Sequence, residues 1–144
     1  MTPAARTPSA VITLHSSFDF EVTLTRVKQA LMKRGMTIFA DIDQAAAASA
    51  ASTQLRPTRL LLFGNPKGGT PIMDGNPHAA LELPLRAVVW QAVDGPVQVD
   101  YLDPSATLVE HYGIDAALTG VFAAVPSLLA QAIDADRTDP AAWR

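Results

Sequence analysis

With 144 residues, 49% of them apolar and 17% charged, the chain suits one globular domain with a sizeable core and does not read as disordered. It has no cysteine, which excludes disulfide and thiol chemistry and fits a reducing, cytoplasmic setting. A net charge of −3 and a pI of about 5.4 repel a phosphate backbone on average, so nucleic acid is not an expected partner.

Residues 1–10 hold two prolines and small residues and read as a flexible leader with no secretory signal. No run is expected to reach the roughly 18 apolar residues of a membrane span, so no membrane partner is expected. Val11 to His15 is rich in β-branched and apolar residues and predicts a first strand. Ser16, Ser17 or Asp19 can cap the helix that follows. Phe20, Leu24, Val27 and Leu31 share one face of that helix, and Gly35 ends it. Arg26, Lys28, Lys33 and Arg34 gather toward its C-terminal end, where cations complement the helix dipole, with Asp19 and Glu21 at its start.

Met36 to Ile42 alternates as a second strand, and Ala45 to Ala51 predicts a thin alanine-rich helix. Thr58 to Phe63 predicts a third strand so apolar at its end that both faces should be covered. Phe63-Gly64-Asn65-Pro66-Lys67-Gly68-Gly69-Thr70 then reads as a demanding loop, with a short helix and irregular chain from Pro71 to Leu83. Arg86 to Gln91 and Val97 to Leu102 are two more strands, joined by a hairpin at Val93-Asp94-Gly95-Pro96. A helix runs from Asp103-Pro104-Ser105 to Tyr112 and stops at Gly113. Asp115 to Asp134 is a last helical region, which Pro126 must either kink or divide. Residues 136–144 form a polar tail. One domain over residues 11–135 is expected, with helices grouped around an antiparallel sheet in an α+β fold.

Several of these residues together resemble a known family. Asp41-Ile42-Asp43 before an alanine-rich helix, Pro57-Thr58-x-Leu60, and Phe63-Gly64-Asn65-Pro66-x-x-Gly69-Thr70 look like the bacterial and archaeal domain of unknown function 302. So do Leu83-Pro84-Leu85-Arg86 and Gly95-x-Val97-x-Val99-x-Tyr101-x-Asp103-Pro104. The resemblance implies a curved, mainly antiparallel sheet covered by helices, in a TATA-binding-protein-like topology, and a homodimer. It implies no activity. The family often has histidine directly after its Ile-Asp pair, where this chain has Gln44.

The glycine loop is the main candidate for chemistry. Successive backbone N–H groups near a helix start can cradle an anion, with Lys67 as a charge and Thr70 as a donor. It matches neither the Walker A spacing nor the dinucleotide fingerprint. The competing reading is structural: the glycines permit a sharp turn, Asn65 caps it and Pro66 fixes φ. His15, His78 and His111 lack the short paired spacing of a zinc site, so no metal or cofactor is expected. Asp41 and Asp43 lie on one side of a strand, either as an acidic pair or with Asp43 capping the next helix. No nucleophile elbow is present.

Three functions follow. The first is a non-catalytic domain that binds a small polar or anionic ligand through Asn65, Lys67, Gly68, Gly69 and Thr70, with Asp43 and Tyr101 nearby. The second is a homodimeric interaction module without a ligand. The third is an enzyme of unrecognised type built on Asp43 and Lys67.

Overall fold

The computed structural model describes residues 10–136, so the expected leader and tail lie outside the described residues but for Ala10 and Asp136. Five strands, β1 (Val11–His15), β2 (Thr37–Asp43), β3 (Thr58–Gly64), β4 (Leu85–Gln91) and β5 (Val97–Leu102), form one sheet in the order β1-β5-β4-β3-β2. Every neighbouring pair is antiparallel. Five α-helices accompany it: α1 (Phe20–Lys33), α2 (Gln44–Ala50), α3 (Pro66–Gly75), α4 (Ser105–Tyr112) and α5 (Val125–Ile133). Two 3₁₀ segments, Pro77–Glu82 and Ala116–Phe122, complete the described chain. The α+β class expected from the sequence is therefore present.

The side-chain period of two puts Leu61, Phe63, Ala87, Val89, Val99 and Tyr101 on one face of the sheet, where all are buried. Val27 and Leu31 of α1 and Leu129 and Ile133 of α5 belong to the same core cluster. The opposite face is not sealed. Leu60 and Leu62 are only half-buried there, so β3 has one covered face rather than two. Local signals set the helix ends. Asp19 caps α1 by accepting from the Val22 N–H at 2.8 Å. Gly35 beyond α1 and Gly113 beyond α4 adopt φ of +77° and +65°, the left-handed region in which a Cβ is strained. Pro126 stands in the first turn of α5, so it opens a second helix rather than kinking a single one.

Ala116–Ile133 amends the sequence expectation about apolar runs. It reaches 18 residues with a mean hydropathy of 1.7, long and apolar enough to cross a bilayer. In this fold it is a 3₁₀ segment followed by α5, and Phe122, Val125, Leu129, Ala132 and Ile133 point into the core.

A bulge in β2 decides where its carboxylates go. Ile38 pairs with Phe63 but Ala40 pairs with Leu62, so Phe39 is an extra residue. Without it, Ile38, Ala40 and Ile42 would all face the core. With it, Ile42 turns outward and is 38% exposed, while Asp41 comes to lie opposite Leu61 on the helix side. Asp41 accepts two hydrogen bonds from Arg59, at 2.8 and 2.7 Å, and pairs with Lys28 of α1. Lys28 thus serves a cross-element ion pair rather than its own helix end. The Arg59 hydrogen bonds hold the Asp41 carboxyl below its usual range, against the opposing effect of partial burial, with Lys28 adding to the lowering.

A carboxylate with a depressed folded pKa adds stability above its unfolded value, and that stability is lost as pH falls through the folded value. Asp41→Asn should therefore lower the melting temperature at neutral pH and flatten its decline below about pH 4. Melting curves of wild type and variant between about pH 2 and 7 check this; parallel declines would show that Asp41 is not linked to folding.

Candidate functional site

The loop expected between Phe63 and Pro71 is largely helix. Asn65 caps α3, its Oδ1 accepting from the Lys67 N–H at 3.0 Å. Pro66 follows in the first turn, where its missing N–H costs least. Gly68 and Gly69 sit inside the helix, and so does Pro71. Gly64, Gly68 and Gly69 are not in the left-handed region, so no sharp turn requires them. Close approach explains Gly68 better. A Cβ there would meet the Val121 side chain at 3.3 Å, tighter than ordinary contact. At Gly69 the nearest atoms, from Leu83 and Met73, lie at 3.7 and 3.8 Å, which is ordinary contact.

The backbone donors expected to cradle an anion are already used. Pro66 has none, and Lys67 N–H goes to Asn65 Oδ1. Gly68 and Gly69 N–H both go to the Asn65 carbonyl, at 2.9 and 3.0 Å. The α3 N-terminus therefore offers no free nest.

What the segment does form is one wall of a cavity of about 570 Å³. Asn65, Lys67, Gly68, Gly69 and Thr70 all line it. Met36 and Phe39 close a second side from the start of β2, and Leu83, Pro84 and Leu85 a third. The Leu83–Pro84 peptide is cis. Val121, Phe122, Val125 and Leu128 supply the wall from the C-terminal segments. The lining is mainly apolar. Among the described residues its polar side chains are Arg34, Asn65, Lys67 and Thr70, with no aspartate or glutamate. Arg34 and Lys67 are both exposed, and neither has a carboxylate within salt-bridge distance among the described residues.

Asp43 and Tyr101 are not part of this site. Asp43 caps α2 through the Ala46 N–H at 2.9 Å and lies 3.6 Å from Arg59. It ends β2, whereas Lys67 lies beyond the opposite end of the paired strands, where Thr37 meets Gly64. Six strand residues separate those ends by roughly 20 Å. Asp43 and Lys67 therefore do not converge, which removes the geometry of the expected enzyme. Tyr101 is fully buried beside Phe63, with ring centroids 6.4 Å apart. Burial, then the charge of Asp103, pushes its phenol well above the usual range, so it stays protonated. Its hydroxyl has no hydrogen-bond partner among the described residues. No group of three potential metal ligands occurs among the described residues.

Sequence reading alone did not single out Arg34, Met36, Phe39, Leu83, Val121 or Leu128 as lining residues. The one available signal was Phe39, an aromatic residue out of step with the alternation of its strand.

Fold and site together define a one-sheet α+β domain with a ligand-sized apolar cavity. The chain belongs to the family described as "Domain of unknown function DUF302", which its residues 12–135 match. The crystal structure of an uncharacterized conserved DUF302 protein from Bacillus stearothermophilus has the same fold, with a TM-score of 0.73. The two are 21% identical, and the match covers 92% of this chain and 100% of that one. Two curated proteins named fluoride-specific ion channel FluC 1 also match, from Brucella suis biovar 1 and Brucella abortus biovar 1. Each is 34% identical over 103 residues, which is 72% of this chain. The matched segment spans only 41% and 38% of their own lengths.

Gly69→Ala should raise stability by up to about 1 kcal/mol, because alanine is the better helix former and meets no close atom. Gly68→Ala should gain less or lose, since Val121 must move, and Val121→Ala in the same chain should restore the gain. Denaturant unfolding of the three variants measures the difference; equal effects at both glycines would rule out close packing as the reason for Gly68.

Proposed function

We propose that this chain is a non-catalytic domain that binds a small molecule in the cavity between α3, the start of β2 and the C-terminal segments. One observation carries the reading: a cavity of about 570 Å³ with mainly apolar walls, to which the α3 segment adds Asn65, Lys67 and Thr70. Pockets of roughly 300–1,000 Å³ with such a lining are the usual form of small-molecule sites. Asn65, Lys67 and Thr70 supply the orienting groups. The glycines leave the α3 wall thin. No nucleophile, acid–base pair or metal cluster on this wall calls for a reaction.

Thermal-shift screening across apolar acids, alcohols, phosphates and nucleotides should give at least one stabilising compound at millimolar concentration. A bulky Gly69→Leu substitution should abolish the shift, and Tyr101→Phe, in the core, should leave it unchanged. Sodium fluoride against sodium chloride belongs in the same screen, because the matching curated proteins are named fluoride-specific ion channels. No stabilisation by any compound would count strongly against a ligand site.

A second reading, homodimerisation, is favoured by the open sheet face. Ile42 and Leu102 are exposed there, 38% and 37%, beside half-buried Leu60, Leu62, Val88 and Trp90. A second copy would bury this apolar surface in a cytoplasmic homodimer. Sedimentation at micromolar concentration should show a dimer that Leu62→Arg dissociates; a strict monomer would end this reading. We also infer a TATA-binding-protein-like topology, supported by the strand order and by one helix after β1 ahead of the antiparallel strands.

A further inference from the structure

We infer that the cavity takes an amphiphilic monoanion: a carboxylic acid with an aliphatic or aryl body, its acid end held by Arg34 and Lys67. This deepens the ligand-site reading and rests on it.

Three observations choose this class. First, the two cations lining the cavity have no carboxylate within salt-bridge distance among the described residues, although the chain as a whole carries a net charge of −3. Away from the cavity, Lys28 and Arg59 share Asp41, and Arg26 bonds the Ala132 carbonyl at 2.7 Å. Two positive charges with no acid among the described lining residues favour a negative group on the occupant. Second, a phosphate or polyphosphate would draw on backbone N–H groups, and those of the first turn of α3 are committed to Asn65. Side chains alone must hold the anion, which suits a single carboxylate better than the greater charge of a phosphate group. Third, the other walls, including Met36, Phe39, Leu83, Val121 and Leu128, offer no polar side chain for a sugar or base. An apolar body fits them, and a free inorganic anion would leave them empty.

The geometry gives a graded expectation. Each methylene added to a straight-chain acid should tighten binding by roughly fourfold until the cavity is full. Removing the acid function from a chain of equal length should weaken it about tenfold or more.

Calorimetric titration of the full chain with octanoate, decanoate and decanol, below their aggregation concentrations, tests this beside inorganic phosphate and adenosine monophosphate. Decanoate should bind more tightly than octanoate, and decanol at least about tenfold more weakly than decanoate. In Arg34→Ala/Lys67→Ala the advantage of decanoate over decanol should vanish while decanol binding stays. Both substitutions are at exposed positions, and an unchanged melting temperature verifies the fold. Equal affinity for decanoate and decanol in wild type would overturn the carboxylate inference and leave the cavity reading standing. Phosphate or the nucleotide binding more tightly than decanoate would overturn the ligand class. Failure of decanoate and decanol alike would overturn the inference and, with a blank wider screen, the cavity reading as well.

Discussion

One alternating face of β3, β4 and β5, packed against α1 and α5, holds the rest of the molecule in place. Leu61, Phe63, Ala87, Val89, Val99 and Tyr101 share that face and are almost wholly removed from solvent. Val27, Leu31, Leu129 and Ile133 meet it from the helices. Burying each large apolar side chain is worth about 1.5–3 kcal/mol, so sliding any one strand by a residue would forfeit several such terms together. The fixed register then fixes both ends of β3. At one end Arg59 lies against Asp41 and Asp43; at the other Gly64 hands the chain to α3 beside the start of β2.

That second end shows packing overruling local preference. Inside α3, Gly68, Gly69 and Pro71 together cost about 5 kcal/mol relative to alanine. The helix forms nevertheless, because Asn65 caps it, Pro66 starts it, Ile72 is fully buried, and Gly68 lets Val121 come close. The same small residues keep the wall thin and leave room for the cavity. A sequence better suited to helix formation would carry side chains where that space now lies.

The charges divide by location. Asp41, Lys28 and Arg59 satisfy one another on the covered side of β2, where a carboxylate left alone would be costly. The Phe39 bulge brings Asp41 there, and it puts Phe39 itself into the cavity lining. Arg34 and Lys67, by contrast, border the cavity with no acid in its lining. One irregular residue in β2 thus bears on both the ion cluster and the candidate site.

The strand positions, the stops at Gly35 and Gly113 and the α+β class were legible in the sequence, and Asp19 and Asp43 were among its candidate caps. Each depends on residues near one another in the chain: alternation, a side-chain oxygen three residues ahead of an N–H, a residue free to take positive φ. The family motif also marked the Asn65–Thr70 segment as the place to look. Its conformation was not legible, since glycine and proline argue locally for a loop and only contact with Val121 and the core shows why a helix wins. The bulge was only hinted at, by Phe39 standing out of step with the alternation of β2, and it takes the pairing with β3 to count one residue too many. Asp43 and Lys67 could be imagined together because a sequence carries no strand direction, and the antiparallel pairing of β2 with β3 sends them to opposite ends. The cavity belongs wholly to the tertiary structure. Its walls come from segments as far apart as Arg34 and Leu128, and an empty space between packed elements has no residue of its own to announce it.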